Sequence, residues 1–187
     1  MESQTLIVIG IAALVVVALA FAAWMYWQRQ RRARLRARFG PEYERALREA
    51  GTPERADALL EERVQRVERF KIRPLSREQG QAFASEWRRV QGMFVDDPDG
   101  AVAAADRLVT EVMAARGYPI EDFDTRAADL SVDHPRVVEN YRAARTLAQR
   151  RERGEAGTEE LRQAVVNYRE LFNDLLDERD RELRRVS

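Results

Sequence analysis

The sequence predicts an all-α chain: one N-terminal transmembrane helix followed by a soluble bundle of about five to seven helices. Three observations predict it. Leu6–Trp27 carries no charged residue. After it, apolar residues recur at steps of three and four between capping signals, the period of a helix packed on one face. No useful length alternates as a half-buried strand does; the weak alternation of Phe70–Leu75 contains Pro74.

The organisation expected along the chain is a short extracytoplasmic N-terminus (1–5), a membrane helix (6–27), an Arg-rich juxtamembrane segment (28–40), a helical domain (41–176) and a charged tail (177–187). A helix rises about 1.5 Å per residue, so the uncharged run matches a hydrocarbon core of ~30 Å. Trp24, Tyr26 and Trp27 cluster at its end, where amphipathic rings favour headgroups. Arg29, Arg31, Arg32, Arg34, Arg36 and Arg38 follow with no acid among them. Basic residues beside a span favour the cytoplasm, which places the N-terminus outside and the domain inside. The same cluster attracts anionic lipid. A cleaved signal peptide is the alternative. Ala18-Leu19-Ala20 resembles a cleavage site, but the N-terminus is not basic and the apolar run continues past it. Ala18 and Ala22 have small-residue spacing for helix pairing, though ordinary lipid-facing Ala is the simpler account.

Leu35 and Phe39, one turn apart, extend the basic helix to Gly40-Pro41, where it breaks. Pro41 opens a short helix ending near Gly51. Thr52 caps the next, with Pro53 in its first turn and Ala56, Leu60, Val64, Val67 and Phe70 on one stripe; Arg73-Pro74 is expected to end it. Ser76-Arg77-Glu78-Gln79 has the form of a capping box, and Phe83, Trp87, Val90 and Phe94 follow on one face. Asp97-Pro98 starts a helix buried through Val102, Ala105, Val109, Val112 and Met113 and stopped at Gly117-Tyr118-Pro119. A shorter helix is expected over Glu121–Leu130. Asp133-His134-Pro135 is expected to open another, carrying Val138, Tyr141, Ala144 and Ala148. Thr158 caps the last, with Leu161, Val165, Tyr168, Phe172 and Leu175 in sequence, and Arg179–Ser187 is expected to fray.

Composition excludes several chemistries. Cys is absent and there is one His, which excludes disulfides, thiolate zinc sites, a cysteine nucleophile and a multi-His metal site. Acidic and basic residues are equal at 32 each, but after residue 38 the acids are in excess by five. An acidic domain argues against nucleic acid as the partner, since phosphate binding needs a cationic face.

Four clusters invite a site reading. Asp97, Asp99, Gly100 and Asp106 match places of a calcium loop, but Val95 stands where an oxygen ligand is needed, and helix capping accounts for the acids. Asp133 beside His134 offers acid–base chemistry, with local turn structure the simpler account. Glu121, Asp122 and Asp124 suit a helix N-terminus better than a metal. Phe83, Trp87 and Phe94 read as core rather than as a pocket wall. No P-loop, dinucleotide fingerprint, hydrolase elbow or zincin helix is present. No catalytic, cofactor-binding or metal residue is therefore assigned, and no enzyme activity or cofactor is expected.

The block WRRVQGMFVDDPDGAVAAADRLVTEVMAARGYP from Trp87 to Pro119, with DLSVDHPRVVENYRAA from Asp129 to Ala144, resembles a family of bacterial proteins with one N-terminal membrane span before a helical domain. The resemblance implies a bacterial inner membrane and supplies no activity or site residue. The expected function is a membrane-anchored helical interaction or scaffold module facing the cytoplasm, with the lipid bilayer and a protein as partners. A membrane-anchored small-ligand sensor, or a periplasm-facing or secreted helical domain, are the alternatives.

Overall fold

In the computed structural model the backbone is described for residues 2–186 and the side chains for residues 14–177. Every regular element among them is a helix: α1 (Glu2–Phe39), α2 (Pro41–Ala50), α3 (Pro53–Val67), α4 (Arg77–Met93), α5 (Pro98–Arg116), α6 (Phe123–Asp133), α7 (Val138–Glu152) and α8 (Thr158–Val186). The all-α expectation therefore holds.

The transmembrane expectation does not. No helix among the described residues is long and apolar enough to cross a membrane. Of the expected span, residues 6–13 lie outside the described side chains. The described side chains of that run are Leu14–Trp27, which α1 carries within one continuous helix from Glu2 to Phe39. Beyond it α1 continues without a break as the Arg-rich segment.

The helices build two cores. Leu35 and Phe39 of α1 meet Tyr43 and Ala46 of α2, Ala56, Leu60 and Val67 of α3, and Val132 of α6. The larger core gathers α4, α5, α7 and α8, including Trp87, Val109, Tyr141 and Tyr168, with Ala127 and Leu130 of α6. Helix α6 thus serves both cores, and Ile72 packs against both. Trp87 stacks on Phe172 with centroids 4.7 Å apart, which places the aromatic stripe of α4 in the core.

Most local signals act as their chemistry dictates. Gly40 takes φ +50 and breaks α1 from α2. The Thr52 hydroxyl accepts from Arg55 N at 3.4 Å, and the Ser76–Gln79 capping box closes in both directions. Asp97 caps α5 by accepting from Gly100 N at 2.9 Å.

Three boundaries differ from expectation. Helix α3 stops at Val67, well before Pro74, because the chain must leave it to seat Ile72 between the cores and Leu75 in the larger one. This extended segment lies across the end of α5, where Arg73 N donates to Arg116 O at 2.9 Å. Helix α6 begins at Phe123, capped by Asp122, and runs to Asp133; buried Ser131 and Val132 belong to its last turn. His134 then ends α6 instead of opening α7, because the residue before a proline is driven out of the helical region; its φ/ψ is −123/47. At the far end, the α8 backbone runs to Val186.

Candidate functional site

The expected lipid-facing residues lie on α1 in two kinds of surroundings. Trp24, Tyr26 and Trp27 are each more than half exposed, as are Leu14, Val16, Val17, Leu19 and Phe21. No described residue before Leu35 belongs to either core. Burying a side chain of this size is worth about 1.5–3 kcal/mol, so a contiguous uncovered length of this kind marks a contact surface.

The six Arg that follow are sorted by the fold. Arg31 forms a two-pronged pair with Glu61 of α3. Arg32 reaches Asp57 at 3.1 Å and also Glu54. The Arg36 guanidinium sits over the Tyr43 ring, 4.9 Å from its centroid. Arg29, Arg34 and Arg38 have no acidic partner among the described residues. Hydrogen bonding to Glu61 and Glu54 holds the Arg31 and Arg32 guanidiniums above their ordinary pKa. Three members of the cluster thus fasten α1 to α2 and α3, and three remain exposed to whatever lies beside the helix.

Arg34 and Arg38 belong to a groove between α1 and α3 of about 460 Å³. Trp27, Arg31, Arg34 and Arg38 line one side; their spacing of four, three and four puts them on one face of α1. Glu61, Val64, Gln65 and Glu68 form the facing wall.

Other candidate residues are spread over several contacts. Asp133 and His134, adjacent in sequence, take different hydrogen-bond partners. The Tyr118 hydroxyl donates to Asp133 at 3.1 Å, while His134 Nδ1 lies 2.5 Å from the Asp174 carboxylate on α8. His134 is buried at the edge of a cavity of about 600 Å³ whose lining also includes Asp133, Asp174, Arg38 and Arg136. Burial, aided by the Asp133 charge, pushes the Tyr118 phenol far above its usual pKa, so it remains a donor. In the acidic loop, Asp97 caps α5 and Asp99 pairs with Arg151 at 2.7 Å. Of the second acidic cluster, Asp122 caps α6, Glu121 pairs with Arg66 at 3.0 Å, and Asp124 faces Arg142 at 3.7 Å. Among the described residues no group of His or acidic side chains converges on a metal position.

Sequence patterning missed the buried ions. Glu42, 1 % exposed, lies between Arg142 of α7 and Arg63 of α3. Asp57 accepts from Tyr43 Oη at 2.9 Å and from Arg32. Asp129 pairs with Arg66 Nε at 3.2 Å. The available signal was a carboxylate on an apolar face: Glu42 beside Tyr43 and Ala46, and Asp57 beside Ala56 and Leu60.

Comparison with protein families, with curated proteins and with solved structures finds no match to this chain. The family resemblance of the Trp87–Pro119 block therefore stays an expectation.

Proposed function

We propose that the chain is a helical interaction module that associates with a lipid surface through α1 and holds the α2–α8 domain beside that surface for a protein partner. The observation that carries this reading is the uncovered apolar length Leu14–Trp27, closed by two exposed Trp and followed at once by Arg. Apolar rings with polar edges favour the headgroup region, and guanidiniums favour the anionic phosphates beyond it. The cytoplasmic leaflet carries more anionic lipid, so the Arg side supports a cytoplasmic location for the domain. Confinement to a thin layer raises the domain's effective concentration for partners at the same surface. The fastening of α1 by Arg31 and Arg32 supports the reading too, because it transmits the position of the apolar length to the domain.

Flotation of the full chain with zwitterionic vesicles tests it. The wild type is expected to float, and Val17→Asp with Phe21→Asp to reduce the floated fraction severalfold. Equal flotation of the two, or none of either, counts against lipid contact through α1.

One observation favours a second reading, small-ligand binding. A cavity of about 380 Å³ lies between α5, α7 and α8, where Val102 and Leu161 stand with Asp106, Arg145 and Tyr168. That size suits a small ligand held by apolar walls and a few polar groups. Burial pushes the Tyr168 phenol far above its usual pKa, keeping it protonated there. A compound that raises Tm in the wild type but not in Ala103→Trp, which fills the cavity mouth, would support this reading; no shift across a set of small apolar acids and bases would oppose it.

A further inference from the structure

We infer that the groove between α1 and α3 binds the phosphate of an anionic membrane lipid, gripped by Arg34 and Arg38. The inference rests on the lipid-surface reading of α1 and goes beyond it, since a helix that merely adheres to lipid needs no shaped site.

Four observations carry it. First, Arg34 and Arg38 are exposed and lack an acidic partner among the described residues, although Glu61 and Glu68 stand on the opposite wall of the same groove. Glu61 is already committed to Arg31. Second, the two Arg are one helical turn apart, about 6 Å, and both line the groove. Two planar guanidiniums at that separation can donate in pairs to the oxygens of one phosphate, the geometry for which Arg is suited over Lys. Third, the Arg31–Glu61 pair bridges α1 and α3 across the groove and so occupies one acid of the facing wall. Fourth, the groove continues directly from the apolar length. Trp27 lies in its lining, and Arg34 is seven residues further, about 10 Å along the axis. A lipid whose tails lie along Leu14–Trp27 would bring its phosphate to that level. Glu68 opposes the binding of anions; with Glu61 neutralised by Arg31, the groove holds Arg34 and Arg38 against that one acid and keeps a net positive charge.

The same chemistry would admit free phosphate, so the test separates the sources, and it separates a site from diffuse attraction. The full chain is partitioned onto vesicles of phosphatidylcholine alone and with phosphatidylglycerol, by flotation, with helicity checked for each variant. For the wild type the expected result is binding to both, at least tenfold tighter to the anionic vesicles. Arg34→Gln and Arg38→Gln are each expected to remove most of that preference while leaving binding to phosphatidylcholine intact. Arg29→Gln removes an equal charge outside the groove and is expected to change the preference less than threefold. Arg34→Lys with Arg38→Lys, which keeps the charge and loses the paired donors, is expected to fall between wild type and the Gln variants. Inorganic phosphate at millimolar concentration is expected not to displace the chain. An Arg29→Gln loss as large as that of Arg34→Gln, or no preference in the wild type, overturns the groove and leaves lipid association standing. Displacement by inorganic phosphate overturns the lipid source. Failure to bind either vesicle removes the lipid-surface reading itself and the groove with it.

Discussion

Glu42 on α2 and Arg142 on α7 meet across 100 residues of chain, with Arg142 Nε donating to Glu42 Oε1 at 3.1 Å and Nη2 to Oε2 at 3.4 Å. Arg63 of α3 approaches the same carboxylate at 3.5 Å and also faces Glu49. Burial pushes the Arg63 guanidinium below its ordinary pKa, while Glu42 and Glu49 act against that shift. One carboxylate thus joins the small core of α1–α3 to the bundle of α4–α8. Without it, Arg63 would keep only Glu49 at 3.6 Å and Arg142 only the exposed Asp124 at 3.7 Å.

Glu42→Ala is expected to destabilise the chain by about 1.5–3 kcal/mol, the loss of charge-assisted hydrogen bonds to two largely buried guanidiniums. Urea denaturation followed by circular dichroism measures it. A double-mutant cycle with Arg142→Ala is expected to give a positive coupling; additive losses would mean that the pair does not tie the two cores together.

Asp129 supplies a pH dependence. Burial raises its carboxyl above the ordinary value, with Arg66 opposing the shift. The folded state therefore holds the Asp129 proton more tightly than the unfolded one. This contribution to stability is complete below the unfolded pKa of about 3.9 and is lost as pH rises through the higher folded value. Relative to Asp129→Asn, which does not titrate, the wild type is expected to lose stability across that interval. Parallel stability–pH curves for the two proteins would contradict this.

Gly117 and Gly154 separate backbone strain from steric clash. Both have positive φ, +97 and +74. A Cβ on Gly117 would stand 2.6 Å from Lys71 O, whereas one on Gly154 would meet nothing within 4 Å. Gly154→Ala is expected to cost about 1–2 kcal/mol from the left-handed backbone alone. Gly117→Ala should cost more, because the extended segment that seats Ile72 must also move. Equal Tm losses would contradict the close approach of that segment to the end of α5.

His134 is expected to depend more on Asp174 than on Asp133. His134→Ala and Asp174→Asn should couple by about 0.5–3 kcal/mol in a stability cycle, as contacting residues do. His134→Ala and Asp133→Asn should couple more weakly, through Tyr118, whose hydroxyl donates to Asp133 and whose ring centroid lies 6.4 Å from that of His134. Stronger coupling between the two neighbours than between His134 and Asp174 would contradict this pairing.

Local chemistry made most of the helices legible. Thr52, Ser76 and Asp97 announce helix starts because an oxygen at that position satisfies an otherwise unpaired N–H, and Gly117 announces a stop because it tolerates positive φ. Helical spacing found the buried faces of α4, α5 and α8. Boundaries set by tertiary demand were not legible. Nothing local shows that α3 must end at Val67 so that Ile72 can reach two cores, or that α6 must carry Val132 into the smaller one. The Arg cluster was legible as charge but not as structure. Which Arg meets Glu61, Asp57 or the Tyr43 ring depends on where α2 and α3 fold back, and only that separates Arg34 and Arg38 from their neighbours. The apolar length was read as a span because hydropathy scores composition alone. Among the described residues no helix is long and apolar enough to cross a membrane, and what the fold shows of this length is the uncovered surface of Leu14–Trp27.

The most direct measurement is depth-dependent quenching of Trp27 in a full-length chain carrying Trp24→Phe and Trp87→Phe. Vesicles with bromine near the headgroup end of the acyl chain are expected to quench Trp27 strongly and to shift its emission to the blue. Emission that stays red and unquenched in every vesicle would contradict lipid contact through α1.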